Sequence, residues 1–279
     1  MRLGNGLNNM DLSIIVLNYK SKGLLKQCIK GVKLLNLKLN YEIIVVDNNS
    51  QDSSVDMIKE QFTDIKLIVS EKNIGCAGGN NLGIEVSQGK YIMILNPDIA
   101  VFEKSIEIMY KFMENNPDVA LIGPKLINPD GTTQLSCYKF PSYFVPIYRR
   151  LPLGRLPFAR KTLKDYLMTE ADHNKNQMVD WVLGACMMVR KEAIDKVGLM
   201  DERFFMYFED VDWCRRFWQA GYKVYYIADA EMVHYHQRLS AMNPGLQGLF
   251  TKATRIHISS WNKYFAKYMG VKNKNRRLK

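Results

Sequence analysis

Asp47, Asp98, Glu209, Asp210 and His234 each stand where a predicted strand or helix starts or stops, and they are the residues of this chain best placed to do chemistry. Asp98 closes the stretch Tyr91-Ile92-Met93-Ile94-Leu95-Asn96-Pro97-Asp98. The apolar residues make a buried strand, and Pro97 has no N–H with which to continue a ladder, so Asp98 is left at a strand mouth. Ligands of open α/β sheets bind beyond the carboxyl ends of the strands, so a metal ion or phosphate is expected there. Taken alone, Asn-Pro-Asp also reads as a plain turn, with Asp98 capping a helix that starts near Phe102. Glu209 and Asp210 open an amphipathic stretch in which Val211, Cys214, Phe217 and Trp218 share one face and Gly221 supplies the stop. The helix dipole at that end favours an ionised carboxylate, which suits a general base; simple capping is the alternative. His234 and His236, at i and i+2 on extended chain, point the same way and are able to complete a metal site begun by Asp98, although buried, hydrogen-bonded histidines are commoner than ligands.

Bringing these residues together requires a sheet whose strands end on one edge. Residues 12–17 form a short apolar strand that breaks at Asn18-Tyr19-Lys20-Ser21, after which Leu24, Leu25, Cys28, Ile29, Val32 and Leu35 recur at helical spacing. Residues 43–46 form a second strand ending in Asp47-Asn48-Asn49-Ser50-Gln51-Asp52, followed by a helix over 54–62 and a strand near 65–69. Strand–helix–strand repetition with continuously apolar strands predicts an α/β fold, a mainly parallel sheet with helices on both faces. The loops after Leu17 and Val46 then share an edge with Asp98. Residues 73–83, rich in Gly and Asn, read as a loop running into a helix through Val86, suited to hold a diphosphate or simply to turn. Their spacing is neither G-x-G-x-x-G nor G-x-x-x-x-G-K-[ST], so a dinucleotide dehydrogenase or a P-loop protein has no support.

After a helix over 103–115, residues 128–164 change character, with Pro129, Pro141, Pro146, Pro152 and Pro157 among aromatic and basic side chains. That proline density argues against long regular structure, and the mixture suits either a lid or membrane-facing segment or an ordinary surface loop. Residues 179–189 predict a strand in which small Gly184 and Ala185 leave room for a ligand, and a strand over 222–227 leads to His234.

With 279 residues, 47% of them hydrophobic, the chain is able to bury a full core as one large domain or two small ones. No apolar run approaches the roughly 18 residues that span a bilayer and no signal-peptide pattern opens the sequence, so a cytoplasmic location is expected. Five scattered cysteines without a C-x-x-C argue against a zinc knuckle and a disulfide framework. Lys and Arg number 39 against 28 Asp and Glu, a net charge of +11 concentrated in 149–164 and 272–279. Such clusters attract nucleotides, nucleic acid or anionic membranes, or serve solubility. A nucleic-acid-binding protein has no use for carboxylates at strand mouths, where they repel phosphate unless a metal intervenes.

The ordered series Ser13-Ile14-Ile15-Val16-Leu17-Asn18-Tyr19, Val45-Val46-Asp47-Asn48-Asn49-Ser50, Asn73-Ile74-Gly75 to Gly79-Asn80-Asn81, Leu95-Asn96-Pro97-Asp98, Gly184-Ala185, Glu209-Asp210-Val211-Asp212 and His234 resembles glycosyltransferase family 2. It looks most like the rhamnosyltransferase branch, inverting enzymes of the GT-A fold, and the likeness runs from about residue 12 to 240. It implies a single Rossmann-like GT-A domain over 1–240, with a nucleotide-sugar half at 11–127, the lid at 128–176, an acceptor and catalytic half at 177–240, and a helical, basic tail over 241–279. Asn18, Tyr19 and Asp47 would hold the base, Tyr19 by stacking and Asp47 by accepting from a pyrimidine N–H. Asn73, Gly79, Asn80 and Asn81 would cradle ribose and diphosphate. Asn96 and Asp98 occupy the D-x-D metal motif, with Asn96 replacing its first acid, so one charge is missing. Asp98 and His234 would bind Mg²⁺ or Mn²⁺, Asp210 would be the catalytic base supported by Glu209, and Gly184, Ala185 and Asp212 would face the acceptor.

The branch implies dTDP-rhamnose as donor, with UDP-galactofuranose or another UDP-sugar next. Its acceptors are saccharides or polyprenyl-diphosphate-linked saccharides of cell-surface polysaccharide synthesis, which implies peripheral contact with the inner face of the membrane. A catalytically silent sugar-nucleotide-binding scaffold would carry the same donor residues.

Overall fold

The structure is a computed structural model that describes residues 10–150, 152–235 and 251–270. Its first half alternates β1 (Leu12–Asn18), α1 (Lys22–Leu34), β2 (Tyr41–Asp47), α2 (Ser54–Gln61), β3 (Lys66–Val69), α3 (Gly75–Glu85), β4 (Tyr91–Leu95), β5 (Ile99–Val101) and α4 (Ser105–Asn115). Then come β6 (Val119–Ile127), β7 (Thr133–Gln134), β8 (Cys137–Tyr138), α5 (Val145–Arg150), a 3-10 turn (Pro152–Arg155) and α6 (Pro157–Leu167). The remainder comprises β9 (Gln177–Met178), β10 (Trp181–Val182), β11 (Cys186–Arg190), α7 (Lys191–Val197), α8 (Glu209–Gln219), β12 (Lys223–His234) and α9 (Lys252–Tyr268).

The main sheet runs β3-β2-β1-β4-β11-β6-β12-β5. Pairings along β3-β2-β1-β4 and between β6 and β12 are parallel, while β11 is antiparallel to both β4 and β6. Because β11 runs against its neighbours, the residues that enter it emerge at the same edge as the residues that leave β1, β2, β4 and β12. Register makes this concrete: Asn18 lies opposite Asp47, Leu95 opposite Cys186, and Ile99 opposite His234. The buried strands alternate their side chains between two cores, with Ile15, Ile44 and Ile92 on one face and Ile14, Val45 and Met93 on the other. Both faces are covered by helices, as the continuously apolar strands require.

Four local expectations change. The Gly- and Asn-rich run after Asn73 is the body of α3, because a Cβ at Gly79 or Gly83 would overlap Leu17 and Ile15. The glycines let the helix lie directly on β1, and that packing outweighs their weak helix propensity. The proline-dense 128–164 segment contains two helices, since Pro146, Pro152 and Pro157 fall in the first turns of their elements, where a missing N–H costs nothing. The single strand expected over 179–189 is broken into β10 and β11 by a turn at Gly184-Ala185. Finally, the expected C-terminal helix is present as α9, but it packs into the domain, burying Tyr264 and Tyr268 in the same core as β1 and α8. His236 and the basic residues 272–279 lie outside the described residues. Among the described residues, no helix is long and apolar enough to cross a membrane.

Candidate active site

Three loops at the carboxyl ends of β1, β2 and β3 are knitted by buried polar side chains. Asn18 donates through Nδ2 to Asp47 Oδ2 (2.9 Å) and to Ser50 Oγ (2.9 Å), and Asp47 Oδ1 accepts from the Ser50 N–H (2.9 Å). Asn48, which the base-binding assignment passed over, donates to the Gly75 carbonyl (3.0 Å) and accepts from the Ile74 N–H (2.9 Å), while Asn73 Oδ1 accepts from the Gly75 N–H (2.9 Å). Asp47 therefore holds the loop by one lone pair on each oxygen and keeps the others. Asn18 Oδ1 is buried without a partner among the described residues. Lys20, Asn49, Gln51 and Ser53 all adopt positive φ, a concentration of backbone strain that accompanies ligand-binding loops. Tyr19 is 45% exposed beside them, with one ring face approached by Lys20 Nζ at 5.4 Å.

Asp98 lines a cavity of about 630 Å³ together with Lys20, Ser21, Lys22, Asp52 and Tyr235. That volume suits a small-molecule ligand. Across the β12–β5 pairing, His234 brings Nε2 to 3.4 Å from Asp98 Oδ2. Its other nitrogen, Nδ1, is 3.0 Å from Gln134 Oε1. An amide oxygen only accepts, so Nδ1 carries a hydrogen, and Nε2 is the nitrogen that faces the carboxylate. Two electron-rich atoms that close require a proton or a cation between them. The second carboxylate oxygen, Asp98 Oδ1, is buried and unpartnered among the described residues. Oxygen and imidazole donors, one held in tautomer by a neighbouring amide, fit Mg²⁺ or Mn²⁺ with coordination positions left for phosphate and water. Among the described residues no group of three or more His, Cys, Asp and Glu is placed to hold a metal ion together. Asn96, which stands in for the missing acid, is half-buried, and its N–H donates to the Ala185 carbonyl (2.9 Å). Gln134 was not legible in advance, because it lies in a two-residue strand with no motif around it.

That Asn96–Ala185 bond leads straight to the candidate base. Asp210 accepts from the Gly184 N–H through Oδ2 (3.0 Å) and from the Val211 N–H through Oδ1 (2.8 Å). A Cβ on Gly184 would meet Asp210 Cβ at 3.2 Å, so the room left by the small residue is taken by Asp210 itself. Asn96, two residues before Asp98, and Asp210 thus flank the Gly184-Ala185 turn from the β4 and α8 sides. Tyr207 and Phe208 precede α8 with consecutive positive φ angles, which sets the direction in which Glu209 and Asp210 enter the helix.

The helix-dipole expectation of a readily ionised pair is reversed by burial. Desolvation pushes the Asp210 carboxyl above its ordinary range, against two N–H bonds that favour the charge. Glu209 is raised further, first by burial and then by the Asp210 charge, and its Oε2 is buried without a partner among the described residues. A raised carboxyl is a stronger base once ionised. It also costs stability: folding takes up a proton above the ordinary Glu value of 4.5, so stability falls as pH rises from there toward the raised value. Glu209→Gln removes that titration. Its Tm should match the parent below about pH 4 and exceed it at about pH 7, with a gap that widens as pH rises. A gap independent of pH in melts monitored by circular dichroism would contradict this.

Three of the expected ligand contacts are committed elsewhere. Asp212 is fully buried, ion-paired with Arg216 (2.8 Å) and Lys267 (2.6 Å) and bonded by the Tyr268 hydroxyl (2.7 Å), so it pins α9 to α8 and does not face an acceptor. Asn81 accepts from the Met200 N–H (3.0 Å) and donates to the Met200 carbonyl (2.9 Å), tying α3 to the loop before α8. Gly79 packs on Leu17. Asn80 donates to the Cys76 carbonyl (3.0 Å), and its Oδ1 is buried without a partner among the described residues. Removing one member of a buried ion network leaves the others uncompensated, so Asp212→Ala should lose about 3–5 kcal/mol of stability. That corresponds to a Tm about 10 °C lower, while the acceptor KM of the protein that stays folded is unchanged. A raised acceptor KM at an unchanged Tm would restore the acceptor role. The five cysteines are free, and burial pushes the Cys28 and Cys137 thiols up to about 12, which makes them poor nucleophiles.

Comparison with known proteins bears on the family and the fold. The family model described as "Glycosyl transferase family 2" matches residues 13–198. The chain is 30% identical over 213 residues to the low-salt glycan biosynthesis hexosyltransferase Agl10 of Haloferax volcanii, an alignment covering 74% of this chain and 61% of that one. It is 27% identical over 214 residues to the N-acetylglucosaminyl-diphospho-decaprenol L-rhamnosyltransferase of Mycobacterium tuberculosis, covering 72% and 69% respectively. In three dimensions it resembles GalNAc-T7 crystallised with UDP, GalNAc and Mn²⁺, with a TM-score of 0.59 at 13% identity over 83% of this chain and 45% of that one. That likeness bears on the fold alone.

Proposed function

The chain belongs to glycosyl transferase family 2, and we propose that it is an inverting, rhamnosyltransferase-like enzyme that moves a sugar from a nucleoside diphosphate to a saccharide or lipid-linked acceptor. The observation that carries this reading is the Asp98–His234 pair, 3.4 Å apart, on the sheet edge where Asp210 is hydrogen-bonded to Gly184. A carboxylate and an imidazole there suit the diphosphate end of a donor, and the buried carboxylate of Asp210 suits the hydroxyl end of an acceptor.

In this reading Tyr19 stacks on the base, and Asp47 uses a remaining lone pair on its N–H. Asn18 and Ser50 hold Asp47 in place for that contact. Asp98 and His234 hold a divalent cation, which when bound neutralises the charge that builds up on the departing diphosphate. Asp210 takes the proton of the acceptor hydroxyl as its oxygen bonds to the anomeric carbon and the bond from that carbon to the diphosphate oxygen breaks. One displacement of this kind inverts the anomeric configuration and needs no covalent nucleophile. Burial keeps the base charge unfavourable until the acceptor hydroxyl is present to share it, and the Asp210 charge in turn disfavours ionisation of Glu209 beside it. dTDP-rhamnose is the preferred donor, as the resemblance to the rhamnosyltransferase branch implies, with UDP-galactofuranose next.

A melting-temperature panel of nucleotide sugars with and without Mn²⁺ tests the donor half. A ligand at 100 times its Kd stabilises by about 2.7 kcal/mol, so dTDP-rhamnose should raise Tm by several degrees, more with Mn²⁺ than with chelator. A UDP-sugar that alone raises Tm would move the donor assignment, and no shift with any nucleotide sugar would overturn it.

A further inference from the structure

The hairpin formed by α5, the 3-10 turn and α6 has two unlike sides. Its inner side is part of the domain: Tyr166 of α6 stacks on Tyr138 of β8 (5.6 Å between ring centroids), and Tyr143, just before α5, packs on Trp261 of α9 (4.7 Å). Its outer side carries Phe144, Leu153, Leu156 and Phe158, between 40% and 59% exposed. Tyr148 bridges the two phenylalanines, 5.9 Å from Phe144 and 6.0 Å from Phe158, so the exposed rings form one patch. Scattered apolar side chains on a surface mean little, but a contiguous patch marks a contact site. Residues 143–164 also carry six Lys or Arg and no Asp or Glu. Exposed rings and leucines in a stretch this rich in cations, of which Lys164 is paired with Glu170 just beyond it, suit the boundary between anionic headgroups and acyl chains; a protein partner would have to bury the same cations against its own carboxylates. The hairpin reaches the candidate active site, because Tyr166 of α6 lies against Trp181 (6.4 Å between ring centroids), in the strand that leads into the Gly184-Ala185 turn.

We propose that this hairpin face docks on an anionic lipid bilayer, with Phe144, Leu153, Leu156 and Phe158 in the headgroup layer and Arg155 and Arg160 on lipid phosphates. A lipid-linked acceptor then reaches Asp210 from the membrane surface; this last step rests on the transferase activity proposed above, whereas the docking does not.

Flotation with phosphatidylcholine vesicles, with and without phosphatidylglycerol, tests the docking using no donor or acceptor. The unaltered chain should float with phosphatidylglycerol vesicles at low salt and be released by high salt. The double variant Phe144→Ser/Phe158→Ser and the double variant Arg155→Glu/Arg160→Glu should each lower partitioning at least about tenfold, with melting temperature and turnover on a water-soluble saccharide acceptor unchanged. Failure of the unaltered chain to float, or equal flotation by both variants, would overturn the proposal. So would a dimer, measured by light scattering, that the Phe144→Ser/Phe158→Ser change dissolves, since that would give the face to a second copy. No turnover on the soluble acceptor would count against the proposed activity while leaving the flotation result to stand.

Discussion

Asp210→Asn should lower kcat by about 10³-fold, within the range that positioned general bases contribute, while leaving the Kd for donor unchanged. The substitution keeps the size of the side chain and one of its two hydrogen bonds to the Gly184 and Val211 N–H groups, but removes the proton acceptor. Stopped assays of sugar transfer beside calorimetric titration of the donor separate the two effects. The pH dependence provides a second check. Burial raises the Asp210 carboxyl above its ordinary value of 3.8, and the base works only when ionised, so the acid limb of kcat should lie above the usual aspartate range. Residual activity of Asp210→Asn should lack that limb. Equal activity in the two proteins would remove the base assignment.

Asp98→Ala is expected to cost about 10²–10³-fold in kcat/KM, as does loss of a single preorganised group that stabilises charge on a leaving group. Unlike the change at Asp210, it should also weaken donor binding, and only in the presence of Mg²⁺ or Mn²⁺. Asp98→Asn, which retains the shape of the side chain, should behave the same way, because the charge and the lone pairs facing His234 Nε2 are what matter. Donor affinity that is equally cation-dependent in the parent and in Asp98→Ala would place the cation elsewhere.

Much of this site was legible because strands announce their ends. Continuous apolar runs before Asn18, Asp47 and Asp98 locate three parallel strand mouths, and their shared edge follows from the βαβ pattern without coordinates. What local sequence could not carry was contact across long separations. Gln134 meets His234 through a two-residue strand, and Asp212 meets Lys267 across the whole of β12, so neither partnership leaves a periodic trace. The glycines of α3 were misread for a related reason: glycine signals close approach, but whether the approaching body is a ligand or Leu17 depends on the packing of a helix onto a sheet. Proline density in 128–164 argues against long regular structure, although at a first turn proline is compatible with the helix it opens. The ionisation of Glu209 and Asp210 was judged from the helix dipole, a surface-scale effect that full burial outweighs.

The most direct test of the account is the anomeric configuration of the product, read by proton NMR during transfer from dTDP-rhamnose to a saccharide acceptor in the presence of Mn²⁺. Asp210 acting as base in one displacement requires a linkage inverted relative to the donor, formed by the parent and not by Asp210→Asn. A linkage of retained configuration would contradict it.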